Sequence, residues 1–273
     1  VDGRLMVGTT WSCPGLTLVG ALETLERAGF AEAEVWADGM HLDPRVDPDV
    51  ADAEDWLRAH PLAVRSVHLP FDAVLPGAPA DERAAAWADL CGRTLDLGHR
   101  LGAELAVAHP VLFGDDGDDQ DRMVERFVPA LRAIADRARA RRMRLTLENM
   151  HTLRGPTLRS VRDLRAALAR VARPVGICLD VGHAVFNGHL GDGLRAEIEA
   201  AGDLLAHTHL HDSDGAGRDP HLVPGDGVVD WPAAVAAFRR IGYPGRHVLE
   251  VRGGDDPLAT LREARSRLVA TGP

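Results

Sequence analysis

Strand-like and helix-like stretches alternate eight times along this chain, and that alternation is its strongest constraint. The strand-like stretches lie at residues 5–10, 33–37, 64–69, 104–109, 144–148, 175–180, 204–210 and 246–251. Between them run Ala-, Leu- and Arg-rich segments with apolar residues three and four apart, most clearly at 18–28, 81–101 and 121–142. Strands separated by helices pair in parallel, because a parallel connection needs a long crossover. Two architectures meet that demand. An open doubly wound sheet usually announces itself with a Gly-rich first turn, and Thr9-Thr10-Trp11-Ser12-Cys13-Pro14-Gly15 is not one. The expected fold class is therefore α/β, a closed (β/α)8 TIM barrel. The 273 residues suit one such barrel, since these run to about 250 residues as a single domain. No linker, low-complexity tract or longer repeat interrupts the pattern, so one domain over 1–273 is expected.

Composition narrows the chemistry. All 31 basic residues are arginine. Without lysine there is no Schiff-base aldolase chemistry and no P-loop lysine. Cys13, Cys91 and Cys178 lie far apart and form no Cys-x-x-Cys pair, which fits a reducing compartment and argues against a thiolate zinc site. No apolar run approaches the roughly 18 residues of a membrane span. Residues 1–10 have no basic segment ahead of an apolar one, so a secretory signal is not expected and a cytoplasmic protein is. Histidine is abundant, with 13 copies, several in short clusters.

In a barrel of this kind the active site lies at the C-terminal ends of the strands. Six consecutive strands deliver an ionisable side chain there. The third ends in Ser66-Val67-His68, the fourth in Val107-Ala108-His109 and the fifth in Leu147-Glu148-Asn149. The sixth ends in Leu179-Asp180-Val181-Gly182-His183, the seventh in His207-Thr208-His209-Leu210-His211-Asp212 and the eighth in Val248-Leu249-Glu250. Strand alternation aims these inward: Thr146 and Glu148 share one face while Leu145 and Leu147 share the other, and Val248 and Glu250 oppose Leu249 and Val251. Taken singly, a strand-end His or Asp is an ordinary hydrogen-bonding residue. Converging carboxylates repel one another and need a cation to stay ionised. Imidazole with carboxylate suits zinc, manganese, cobalt or magnesium.

These motifs, with Pro224-Gly225-Asp226-Gly227, resemble the xylose isomerase-like TIM-barrel superfamily over nearly the whole chain. That group includes sugar (phosphate) isomerases and epimerases, inosose dehydratases and endonuclease IV. The resemblance implies one divalent metal held by Glu148, Asp180, His209 and Glu250, with His211 the alternative to His209 because both share a strand face. Endonuclease IV holds three zinc ions, and the resemblance to it adds His68, His109, His183, Asp219 and His221 as ligands. In a mononuclear site His68, His109 and His183 would instead bind substrate oxygens, as would Arg252 or Arg218.

We place first a metal-dependent isomerase or epimerase of a small sugar, polyol or sugar phosphate, with Glu148 and Glu250 as acid and base from opposed sides of the mouth. The alternative is an endonuclease IV-like trinuclear phosphoester hydrolase. Dehydratase chemistry uses the same parts, and a non-catalytic binding barrel is a third class. A small carbohydrate-like partner is expected rather than nucleic acid. The formal charge is −10, the basic run 137–144 falls at the opposite end of the barrel, and the loop Gly114-Asp115-Asp116-Gly117-Asp118-Asp119 puts acid at the mouth. Phe71 is the one evident aromatic wedge. No membrane partner is expected, and a homo-oligomer stays open.

Overall fold

Eight parallel strands close into a barrel in chain order, β1-β2-β3-β4-β5-β6-β7-β8, with β8 returning to pair with β1. The structure, a computed structural model, describes residues 2–48, 50–71, 75–115, 117–151 and 157–271. The strands are β1 (Met6–Thr9), β2 (Glu32–Trp36), β3 (Ala63–His68), β4 (Leu105–Ala108), β5 (Arg144–Glu148), β6 (Val175–Asp180), β7 (Leu205–Leu210) and β8 (His247–Leu249). The helices are α1 (Leu18–Arg27), α2 (Val50–Ala59), α3 (Ala80–Arg100), α4 (Gln120–Ala140), α5 (Val161–Val171), α6 (Val181–Phe186), α7 (Asp192–Ala201), α8 (Trp231–Arg240) and α9 (Pro257–Ala270). Every expected strand forms. β5 and β6 keep their expected limits, and the others end within a few residues of them. Among the described residues, strands and α-helices depart from strict alternation at the pair α6 and α7 after β6.

The alternation has a physical basis in burial. Ala33, Val35, Leu145, Leu147, Leu249 and Val251 belong to the hydrophobic core under the helices, where Trp87, Phe127, Leu131 and Ile134 are also enclosed. The opposite strand faces carry polar groups into the barrel interior. Helix starts are fixed by side-chain caps: Thr17 for α1, Asp119 for α4, Ser160 with Asp163 in a capping box for α5, and Asp256 for α9.

The two ends of the barrel differ in chemistry. At the N-terminal end Glu32 is held by Arg65, 2.7 Å away, and by Arg246 at 2.8 Å. This arginine–carboxylate plug closes the bottom with fixed charges of opposite sign. Two residues further along the same face of β2, Glu34 sits among histidines instead. Among the described residues no helix is long and apolar enough to cross a membrane.

Candidate metal centre

The C-terminal mouth gathers every ligand candidate named from the sequence. Glu148, Asp180, His209 and Glu250 each offer an atom within 4.8 Å of the others. His209 Nδ1 lies 3.0 Å from Glu250 Oε2 and 3.3 Å from Glu148 Oε1. On one side, His68 Nε2 and His109 Nε2 stand 3.0 Å apart, at 3.4 and 3.2 Å from Glu148 Oε2. On the other, His183, His211, Asp219 and His221 form a second compact group. There His221 Nε2 is 3.0 Å and His183 Nε2 3.6 Å from Asp219 Oδ2. The two candidates at the end of β7 face different groups: His209 lies in the first, while His211 meets Asp180 at 3.0 Å and joins the second.

Local sequence explains the placement. Asn149 clasps the backbone of Asp180, donating to its carbonyl at 2.9 Å and accepting from its N–H at 2.8 Å. Asp180 in turn caps α6, accepting from the His183 N–H at 2.7 Å. The Leu-Glu-Asn and Asp-Val-Gly-His motifs therefore form one clamp across β5 and β6. Gly182 is required in that clamp, since a β-carbon there would overlap the His211 ring. Asp212 is a scaffold residue. It accepts from Trp231 Nε1 at 2.9 Å, Gly225 N at 2.7 Å and Val229 N at 3.0 Å, which explains the Pro224-Gly225-Asp226-Gly227 turn. A pair of backbone bonds between Asp212 and Leu222 then carries Asp219 and His221 back over the mouth. His221 has φ 47°, a left-handed conformation that costs a non-glycine residue roughly 1–2 kcal/mol.

Four histidines of the mouth share one orientation. His68, His183, His211 and His221 each turn Nδ1 to a backbone carbonyl, those of Leu69, Asn149, Asp212 and Glu250 at 2.8 to 3.2 Å. The Nδ1–H donates there, so it is Nε2 that faces the centre and, once deprotonated, would offer its lone pair to a cation.

Whether these residues suit a cation is answered by their unmet bonding. Both oxygens of Glu148, both ring nitrogens of His209 and Nε2 of His183 are buried without a hydrogen-bond partner of good geometry. Such groups are costly unless something satisfies them. Electrostatics agree. Burial alone would raise the Glu148 carboxyl, but the imidazoles of His209 and His109 outweigh it and hold the group well below the ordinary range. Burial likewise opposes ionisation of Asp180, and His183 and His211 pull it down to about 2. Asp219 is lowered by His183 and His221 against its own burial. In return, burial would lower His183 and His209, but both are raised well above their usual value, His183 by Asp180, Asp219 and Glu148, and His209 by the Cys178 sulfur and then by Glu250, Glu148 and Glu34. Without a cation, protons on these rings offset the carboxylate charge. The donor set of carboxylate oxygens and imidazole nitrogens fits zinc, manganese, cobalt or magnesium.

Several mouth residues carry no signal in the strand-end motifs. Trp36 stacks on His68 at 4.1 Å, Phe71 packs on His109 at 4.1 Å, and Trp11 lies 4.5 Å from His221. Among the described residues Phe71 thus shares the mouth with Trp11 and Trp36. The tryptophans follow β1 and end β2, strands whose termini carry no charged ligand. His151, just beyond β5, lies 4.7 Å from His183, with Nδ1 3.7 Å from Asp219 Oδ2. Burial and the neighbouring His183 lower it to about 4. Arg252 is exposed at the rim, its guanidinium 5.5 Å above the Trp11 ring. Arg218 is paired to Asp214 at 2.6 Å. The acid at the mouth is less one-sided than its sequence suggests. Arg126 pairs with Asp118 and, at 3.3 Å, with Asp115, while Asp119 caps α4; Asp116 lies outside the described residues.

The chain belongs to the xylose isomerase-like TIM barrel family, whose sequence pattern matches residues 22–270. A curated relative, the uncharacterized protein y4fM of Sinorhizobium fredii (strain NBRC 101917 / NGR234), is 33% identical over 164 residues, which are 57% of this chain and 49% of that protein. The match thus spans about half the relative's length. Among solved structures, D-allulose 3-epimerase from Methylomonas sp. in complex with D-allulose superposes with a TM-score of 0.80 at 20% identity, covering 98% of each chain. The 3-keto-D-glucoside 4-epimerase YcjR from E. coli gives 0.79 at 18% identity, over 98% of this chain and 99% of that one. A D-tagatose 3-epimerase-like protein gives 0.78 at 19%, over 97% and 98%. At such identities the likeness shows the fold.

Proposed function

We propose that the protein is a divalent-metal-dependent isomerase or epimerase acting on a small sugar, polyol or sugar phosphate. One observation carries this reading. Glu148 and Glu250 flank His209 and Asp180 in a single buried group, and both Glu148 oxygens lack hydrogen-bond partners. A divalent cation bound there would polarise a substrate carbonyl. The chain's own part is proton handling. One of the two glutamates takes the proton beside the carbonyl, and the other returns a proton to the opposite face or the neighbouring oxygen. They come from β5 and the end of β8, so they reach the mouth from opposed sides. His68, His109 and His183 line that space and suit hydroxyl oxygens, with Arg252 at the rim for a phosphate. The epimerase names of the superposed structures support this choice within the family.

A second reading is favoured by the two flanking groups, His68–His109–Glu148 and His183–Asp219–His221, which repeat the donor pattern of a trinuclear phosphoesterase. Metal analysis on the purified protein, with a ketose and aldose panel in deuterated water beside a generic phosphodiester, separates the two. Deuterium incorporation at an epimerised carbon, abolished by chelation and restored by Mn2+ or Co2+, is expected. Three tightly bound ions with phosphodiester turnover and no sugar conversion would favour the second reading.

A further inference from the structure

His209 is reversed relative to its neighbours. Where His68, His183, His211 and His221 turn Nδ1 to a backbone carbonyl, His209 points Nδ1 into the centre and Nε2 away from it. Nε2 faces Glu34 of β2, whose Oε1 lies 3.1 Å away, an ion-pair distance outside good hydrogen-bond geometry. Glu34 is fully buried. Its Oε2 accepts from Ser66 Oγ at 2.6 Å and faces His207 Nε2 at 2.8 Å.

We infer that Glu34 is a positioning residue that fixes His209 as an Nδ1 ligand. The inference rests on the reading that Glu148, Asp180, His209 and Glu250 hold a divalent cation. A buried carboxylate that accepts the Nε2–H pins the tautomer, leaves the Nδ1 lone pair for the cation and raises its basicity. Ser66 and His207 both bond Oε2 and so orient the carboxylate, which leaves Oε1 turned to the His209 ring. Strand geometry supplies the arrangement: Glu34 pairs in register with Ser66, and His207 and His209 share one face of β7.

Glu34, His207 and His209 also lie close enough to be read as a metal site of their own. Two features argue against that. His209 would have to bridge two cations through both nitrogens, which requires an imidazolate. Glu34 is also already bonded directly by Ser66 and His207 at hydrogen-bonding distances.

The test is zinc titration of the purified protein by chelator competition, with thermal melts and 15N-histidine spectra of the zinc-loaded form. Wild type should show His209 zinc-bound at Nδ1 and protonated at Nε2. Glu34→Gln keeps the shape and removes the charge, and should weaken zinc binding about tenfold at unchanged stoichiometry. Glu34→Ala removes the acceptor and should weaken it by about a hundredfold, with loss of the fixed His209 tautomer. Ser66→Ala, the mildest change, should cost about threefold and covers the case in which neither Glu34 variant folds. Variants that melt lower but keep zinc affinity within about twofold reduce Glu34 to a structural group and overturn the inference. Loss of one ion from the count overturns it in favour of a separate site. Wild-type protein that binds no zinc overturns the cation reading and the inference together, an outcome visible before any variant is made.

Discussion

His183 Nε2 and Asp219 Oδ2 stand 3.6 Å apart, although one side chain rises from α6 after β6 and the other from the long loop after β7. The contact joins the loop to the mouth and completes a group that His211 and His221 share. Replacing Asp219 and His221 together by Ala tests what the loop does. If it serves substrate oxygens in an isomerase, KM should rise about tenfold with kcat little changed, and the tightly held ion should remain. Loss of one ion per chain and of phosphodiester turnover would place the loop in a multi-cation hydrolase.

Glu148→Gln and Glu250→Gln should each lower kcat by about 10²- to 10⁴-fold, the range for loss of a positioned acid or base. The fold should persist, because these residues sit at the functional end of the barrel. Circular dichroism and melting temperature check the fold beside kinetics on the converted sugar. In the metal-free form each variant should melt somewhat lower, because both carboxyls are held below their ordinary range and their charge contributes stability at neutral pH. Full activity in either variant rules out that residue as acid, base or essential ligand.

The pH dependence of the metal-free protein has a defined sign. His183 and His209 are raised well above their usual value. Their stabilising contribution is therefore complete below about pH 6.5 and is lost as pH rises through the raised values. Asp180, at about 2, and the depressed Glu148 and Asp219 contribute above the unfolded carboxylate range and lose that contribution as pH falls. His247, buried and lowered to about 4, also loses stability as pH drops from about 6.5 toward 4. Metal-free melting temperature should thus be highest near neutrality and decline on both sides. A saturating divalent cation displaces the imidazole protons, so it should flatten the alkaline decline while its apparent affinity falls below neutral pH. A metal-free melting curve that keeps rising from pH 7 to 9 would refute this assignment.

The barrel was legible because the helical crossovers and the buried outward strand faces both leave apolar periodicity in the sequence. The convergence of the candidate residues was legible because each strand end places one ionisable residue at the same level, and Glu148, Asp180, His209 and Glu250 lie within one group. Three features were not. Glu34 lies inside β2 rather than at its end, and only its place on the inward face beside Glu32 hints at a role. Trp11 and Trp36 reach the mouth through packing on His221 and His68. The choice between His209 and His211 depends on which neighbour each ring nitrogen meets, which strand period alone does not encode.

Gly182→Ala sets helix propensity against packing. Gly182 lies inside α6, where alanine would ordinarily gain about 0.8–1.0 kcal/mol. Its new methyl group would overlap the His211 ring. That ring cannot retreat freely, since it stacks on His221 at 3.8 Å and bonds Asp180 at 3.0 Å. Overpacking of this kind costs about 1–3 kcal/mol, so a net destabilisation is expected, read as a lower melting temperature. Cation affinity should fall as well, because Asp180 caps α6 and α6 carries His183. A second change, His211→Ala, vacates the space the methyl group needs. The double variant should regain most of the lost stability, which a double-mutant cycle reports as a coupling of at least about 1 kcal/mol. If Gly182→Ala alone melts above wild type, the propensity term wins, and the close approach of α6 to His211 does not hold the centre together.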